Sequence, residues 1–168
     1  MSQGLEQVKS AIAAALEQAG VDARTAYAPG WASRYRAPVV AVGLRTGESC
    51  GAALGSYLGQ RLDQATQTYR EIYGMKLELK LSLDIYSPAD AGAAGCEQTL
   101  SLLHQVILSG LPSGLKPEEF HWEETAWDED TGMFLRRGTL SCGAYFTAAA
   151  TEDGALLTDF ILKGVMTK

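Results

Sequence analysis

MKLELKLSLDIYSPADAGAAGCEQTLSLLHQVILSGL, residues 75–111, holds both of the hydrophobic periods from which the fold can be read. In its first half Leu77, Leu79, Leu81, Leu83 and Ile85 alternate with Glu78, Lys80, Ser82, Asp84 and Tyr86. A period of two sends apolar and polar side chains to opposite faces, which is a strand with one buried face and one wet face. Parallel sheets are covered on both faces, so a wet face argues for an antiparallel sheet. In the second half Cys96, Leu100, Leu103 and Ile107 recur at helical steps, and Leu102 and Val106 widen the stripe. That is a helix with one apolar face. Ser87, Pro88 and Asp90 lie between the halves; proline fits a first helical turn, and Ser or Asp can cap its free amides. Gly110 and Pro112 end the helix. The frame is therefore a long strand, a tight corner and a helix laid back over the sheet.

Upstream, Leu5, Val8, Ile12, Leu16 and Ala19 mark an N-terminal helix that stops at Gly20. Val21 to Tyr27 is read as a short strand and Ala28 to Pro38 as loop, from its Pro-Gly and Ala-Pro signals. The β-branched run from Pro38 to Ser49 predicts the next strand. Residues 47–67 fit either a short helix or a long tongue between strands, the nearest thing to an insertion. From Thr66 the strand pattern returns, and Tyr69, Tyr73 and Met75 share the phase of Leu77–Ile85; Gly74 marks a bulge or bend. Downstream, Glu119–Trp127 and Met133–Thr147 are read as a hairpin around the turn Glu129–Gly132. Thr151–Gly154 is read as a further turn and Thr158–Met166 as a last strand. The order predicts a single α+β domain over residues 1–168: a mostly antiparallel sheet with two main helices on one face.

A chain of 168 residues can bury a core without disulfide or metal. Cys50, Cys96 and Cys142 are odd in number and widely spaced, and the N-terminus lacks the basic-then-apolar pattern of a signal peptide; reduced thiols and a cytoplasmic setting are expected. No apolar run approaches a membrane span. Net charge is −6, unevenly placed: residues 1–80 carry nine Lys/Arg and seven Asp/Glu, residues 81–168 five and thirteen. The acid is densest in PEEFHWEETAWDED, residues 117–130. Such a chain does not hold nucleic acid through bulk charge. Its unequal halves suit head-to-tail attraction between copies; the plain alternative is a solvated acidic hairpin.

The motifs that suggest chemistry are short. Gly47-Glu48-Ser49-Cys50-Gly51 matches the G-x-S-x-G nucleophile elbow, which needs a sharp strand-to-helix turn and a histidine base; the chain offers only His104, on a helix face, and His121, in an acidic strand. Asp130-Thr131-Gly132 matches the aspartic-protease triplet in a single copy, at a hairpin turn. The same turn fits a calcium loop poorly, because Thr139 stands where a bidentate Glu is required. His and Cys show no short metal-ligand spacing, and Cys96 reads as a small core residue. Trp31, Arg34, Tyr35 and Arg36 interleave aromatics with charge as a single-strand binder does, although a covered loop or a subunit contact explains them as well. Tyr57 and Leu58 suit an exposed apolar tip, or ordinary packing on the sheet. No nucleophile or base is paired with an orienting partner, so a non-enzymatic role is expected.

Three segments carry a family resemblance: SYLGQRLDQATQTYREIYG at Ser56–Gly74, LDIYSP at Leu83–Pro88 and DFILKGVMTK at Asp159–Lys168. With the order of elements, they make the chain similar to the tail terminator, or tail completion, proteins of phages and phage-derived tail-like particles, in the versions carried by prophages of gut Firmicutes. The resemblance spans nearly the whole chain, and its motifs are structural. It implies a ring, usually of six copies, that caps a finished tail tube in the host cytoplasm and then stays in the particle. The implied partners are the tube, the head connector and, in contractile tails, the sheath. It implies neither cofactor nor catalysis. An acidic surface on each copy is expected to meet a more basic surface on the next, with Glu123, Glu124, Asp128 and Asp130 of the 117–130 hairpin, Arg34, Arg36, Arg45 and the Tyr57–Leu58 tip as the contributors. They are read from charge and apolar pattern, not carried over from family motifs. The alternatives are another tail, connector or baseplate protein and, in a different class, a small serine hydrolase using Ser49.

Overall fold

The computed structural model describes residues 2–51, 56–150 and 160–163. Helix α1 (Ser2–Gln18) leads to β1 (Asp22–Arg24), α2 (Trp31–Arg34), β2 (Val39–Gly51), β3 (Tyr57–Asp63) and β4 (Thr68–Ser87). Then come α3 (Gly92–Ser109), a 3-10 turn (Pro112–Gly114), β5 (Lys116–Trp122), β6 (Ala126–Asp128), β7 (Met133–Arg136), β8 (Gly138–Ala150) and β9 (Phe160–Lys163). The architecture is α+β, with one mostly antiparallel sheet.

β4 is its spine. Along one edge, β2 pairs with Met75–Tyr86 and β3 with Thr68–Tyr73. Along the other edge, β8 pairs with Glu71–Ser82 and β7 with Ile85–Ser87. β5 and β9 flank β8, β6 flanks β7, and β1 lies parallel outside β2. The alternation read in the sequence sets the faces. Leu79, Leu81, Leu83 and Ile85 are buried, together with Val40 and Val42 of β2 and Leu140 and Cys142 of β8. They lie under Val8, Ile12 and Leu16 of α1 and Cys96, Leu100 and Leu103 of α3. Each such side chain contributes about 1.5–3 kcal/mol by leaving water.

The opposite face is covered at one end. Trp31, Val39, Ala41 and Met133 form a second buried cluster, with Tyr27, Tyr35 and Tyr86 packed against it. The segment expected to be plain loop thus contains α2 and seats Trp31, 2% exposed, on the sheet. Tyr86 falls in the polar phase of β4, yet its ring lies 4.8 Å from Tyr27 and 5.7 Å from Trp31. Burial pushes its hydroxyl pKa up to about 12.

The tongue expected at residues 47–67 is mostly strand where it is described: β2 runs on through Gly51, and β3 continues in the same direction along the same edge of β4, which returns after the turn at 64–67. The short-helix reading of this stretch fails because both strands satisfy their amides on β4. The corner before α3 also departs from the expected cap. No side chain caps the N-terminus of α3; instead Ser87 Oγ donates to the Gly92 carbonyl at 2.7 Å. Gly110 ends the helix as expected. Gly74 brings no register shift into β4; the irregularity is on β3, between Tyr57 and Gly59. The expected turn Thr151–Gly154 lies outside the described residues, as do both ends of the strand expected over Thr158–Met166, of which β9 is the described part.

Candidate functional site

β4 is 20 residues long, or about 66 Å at strand rise, whereas α1 with 17 residues and α3 with 18 span only about 27 Å each. Two such helices cannot cover it, and the N-terminal third forms an arm with β3 on one edge and, from Glu71 inward, β8 on the other. Its turn is held by local bonds: the Gln67 amide donates to the Asp63 carbonyl at 2.8 Å, and the Ala65 amide to Asp63 Oδ1 at 3.0 Å. The Ala65 amide holds the Asp63 carboxyl below its ordinary pKa, and Arg70 adds to the effect from 2.7 Å. The register places Tyr57 opposite Tyr73 and Leu62 opposite Tyr69, in the phase of the buried leucines. Here no described helix covers them: Tyr69 is 65% exposed, Tyr57 and Leu62 40% each. On the other face Arg61 stands directly opposite Arg70. Arg70 has Asp63; Arg61 has no ion partner among the described residues.

Where the arm joins the body, a side chain at Gly74 would meet the Phe146 carbonyl at 2.6 Å and Leu58 Cδ1 at 2.7 Å. Glycine is required there by crowding, so that Leu58 can lie on the strand.

A second exposed region lies far along the same sheet. β5 and β6 form its margin, bent at residues 123–125, where the Glu123 amide bonds to the Arg137 carbonyl at 2.9 Å. Phe120 and Trp122 turn to the helix side, where the His104 ring of α3 meets them at 5.3 and 4.7 Å. His104 Nδ1 is 2.9 Å from the Leu100 carbonyl, which assigns the proton to Nδ1. Trp127 packs edge-on against Phe134. Arg136, almost buried, ties this margin to α3: its Nε donates to Thr125 Oγ1 at 2.7 Å and its Nη2 to Glu97. Trp122 remains 42% exposed, Trp127 48% and Leu108 85%.

The residues expected at an interface are scattered over this frame. Tyr57 and Leu58 are on the arm. Glu123 and Glu124 are exposed in the bend after β5. Asp128 ends β6, and its Oδ2 accepts from Thr131 Oγ1 at 2.6 Å; Asp130 is exposed in the turn that follows. Arg34 is exposed at the end of α2. Arg36 reaches Asp90 only at 3.8 Å, both well exposed. Arg45 is engaged within the chain, 2.8 Å from Asp84. Burial raises the Asp84 pKa despite Arg45 and the Gly138 amide, which both pull it down. The segment with Arg34 and Arg36 packs at the end of the sheet that carries Asp128–Gly132, since a side chain at Gly132 would lie 3.8 Å from Ala32. The expected cations and acids are therefore neighbours in one chain, and the arm is at the far end.

The chemical motifs dissolve into structure. Gly47–Gly51 lies within β2, with Ser49 opposite Leu77, so no elbow forms. Asp130-Thr131-Gly132 is a turn, closed by the Gly132 amide on the Asp128 carbonyl at 2.9 Å. The wet face has an open groove of about 290 Å³ between Glu48, Glu78, Glu118, Glu119 and Lys80. Glu48 faces Glu78 across the strands, and Lys76 binds Glu78 at 2.8 Å, lowering that carboxyl's pKa. Among the described residues no group of three or more His, Cys, Asp or Glu is placed to hold a metal ion. Nor is any described helix long and apolar enough to cross a membrane.

Sequence reasoning missed Leu62, Tyr69, Leu108, Trp122 and Trp127 as surface groups. The usable signal was length: an apolar phase running from Tyr69 to Ile85 is longer than the helices available to cover it. No protein-family model matches the chain, and a search of curated proteins finds no match.

Proposed function

We propose that the chain is a structural assembly protein that acts by binding copies of itself, forming a ring that caps a tail tube and presents a surface to a head connector. This is the role its sequence resemblance implies. The observation that best supports it is the arm. Of the nine large apolar side chains exposed among the described residues, five (Tyr57, Leu58, Leu62, Tyr69 and Met75) are on it or at its base. Exposed apolar groups concentrated on one arm mark a contact surface rather than ordinary scatter. Charge asymmetry adds to this, because the acid is gathered at the end away from the arm. A head-to-tail contact of this kind closes into a ring when the rotation allows it. Neither cofactor nor catalysis enters this reading.

Native mass by light scattering over a range of protein and salt concentrations, with electron microscopy of any large species, tests it. A discrete ring, six copies in the family it resembles, that loosens with salt is the expected result. Open fibres would replace the cap with a tube protein, and a chain that is monomeric throughout would remove self-assembly in free solution. In assembled particles, labelled protein should sit at the head-proximal end of the tail; label along the tube or at the far end would move the role to a tube or baseplate component.

A further inference from the structure

We infer that the arm tip of one copy docks on the Trp122–Trp127 margin of a second copy, beside α3. This rests on the assembly reading and names the surfaces it uses. Eight of the nine exposed large apolar side chains among the described residues fall into two regions: five on the arm or at its base, with Leu58 over Gly74 on the face opposite Tyr69, and Leu108, Trp122 and Trp127 on α3, β5 and β6. Trp122 pairs with Gly138, which packs against the Leu83 carbonyl, whereas the arm tip is at Tyr69. Fourteen residues of one strand separate the two levels, about 46 Å at strand rise. A tip and a margin fixed to the same paired strand cannot meet within one chain, so the margin that the tip reaches is that of another molecule.

Charge selects a second copy as that molecule. Residues 117–130 contain seven carboxylates and no Lys or Arg, and Glu123 and Glu124 are exposed beside the tryptophans. At the arm tip Asp63 engages Arg70, whereas Arg61, directly opposite, has no ion partner among the described residues and can meet an acidic surface. Among the described residues Thr68–Arg70 pair with β3 alone, and there Leu62 and Tyr69 share one face and the arginines the other. The tip can set its apolar face on Trp122 and Leu108 while its cations reach the carboxylate rim. Tyr, Trp and Arg are the side chains that dominate such contacts, and a guanidinium over an indole adds cation–π attraction. The two patches lie at opposite ends of one chain, so each copy uses a different end on each neighbour.

Two variants made only at exposed positions test this by sedimentation velocity. L62S/Y69S blunts the arm; L108S/E123K/E124K reverses the margin. Circular dichroism and the unfolding midpoint of each should match the parent. Each variant alone should lose self-association by about tenfold or more. Mixed together they should form a one-to-one pair and stop there, because one supplies the intact arm and the other the intact margin. Tryptophan emission gives a second readout. Trp31 is buried, so a blue shift on association of the parent reports Trp122 and Trp127, and the blunted arm should abolish it. Rings that survive both variants overturn this contact and leave the assembly reading standing, as does a mixture that stays monomeric while the parent associates. A parent that never associates overturns both.

Discussion

The two halves of β4 have the same alternation and opposite fates. From Leu79 to Ile85 the odd residues are sealed under α1 and α3; at Tyr69, Tyr73 and Met75 the same phase has no described helix above it. The backbone is paired in both, with β3 and β2 on one edge and β8, from Glu71 to Ser82, on the other. A period of two thus decides which face is apolar. It does not decide whether this chain or another covers that face.

Substitutions at matched positions should separate the halves. Leu83→Ala, in the covered half, should have the largest effect, a loss of about 2–5 kcal/mol read from urea unfolding, because the cavity lies between sheet and helices. An equal loss from Tyr69→Ala would erase the distinction. Gly74→Ala, at the junction, should cost about 1–3 kcal/mol, since the new methyl meets both the Phe146 carbonyl and Leu58.

Asp84 sharpens the comparison on the wet face of the covered half. Burial there raises its pKa, so the folded chain keeps this proton to higher pH than the unfolded chain does. The stability linked to that proton is complete below the unfolded pKa and is lost as pH rises through the folded one. The stability of Asp84→Asn relative to the parent should therefore rise from acid towards neutral pH and then level off; a falling difference would contradict the burial argument. The smallest effect is expected from L62S/Y69S, whose midpoint should stay within about 0.5 kcal/mol of the parent, as for surface sites.

Much of this frame was legible in the sequence. Leu77–Ile85 and Cys96–Ile107 gave strand and helix through periods of two and of three to four, and Gly20 and Gly110 gave two helix ends. What escaped depended on contacts distant in sequence. Trp31 reads as a surface aromatic among arginines until Val39, Ala41 and Met133 come together beneath it. Residues 47–67 have mixed composition and no strict alternation, and they become strand because β4 offers free edge amides. At the candidate surface, Tyr57 and Leu58 were legible as exposed apolar residues, but they stand at the base of the arm, opposite Tyr73 and over Gly74, not at its tip. Leu62 and Tyr69 were hidden because their phase is that of the core, and Trp122 and Trp127 because they alternate within a strand like buried residues. Arg136, which joins Thr125 and Glu97, has no local signature at all.

The continuity of β4 has a mechanical consequence. No residue between Thr68 and Ser87 has a positive φ, and neighbouring strands clamp its length. The arm is thus the outer limb of a lever whose fulcrum is the helix-covered section and whose inner end is Ser87, latched to the first turn of α3 through Gly92. Load applied at Tyr69 is carried as tilt of the whole beam and delivered as torque at the root of α3, roughly the full strand length away. A neighbour gripping the arm would therefore communicate its orientation to the opposite end of the molecule without any loop having to move.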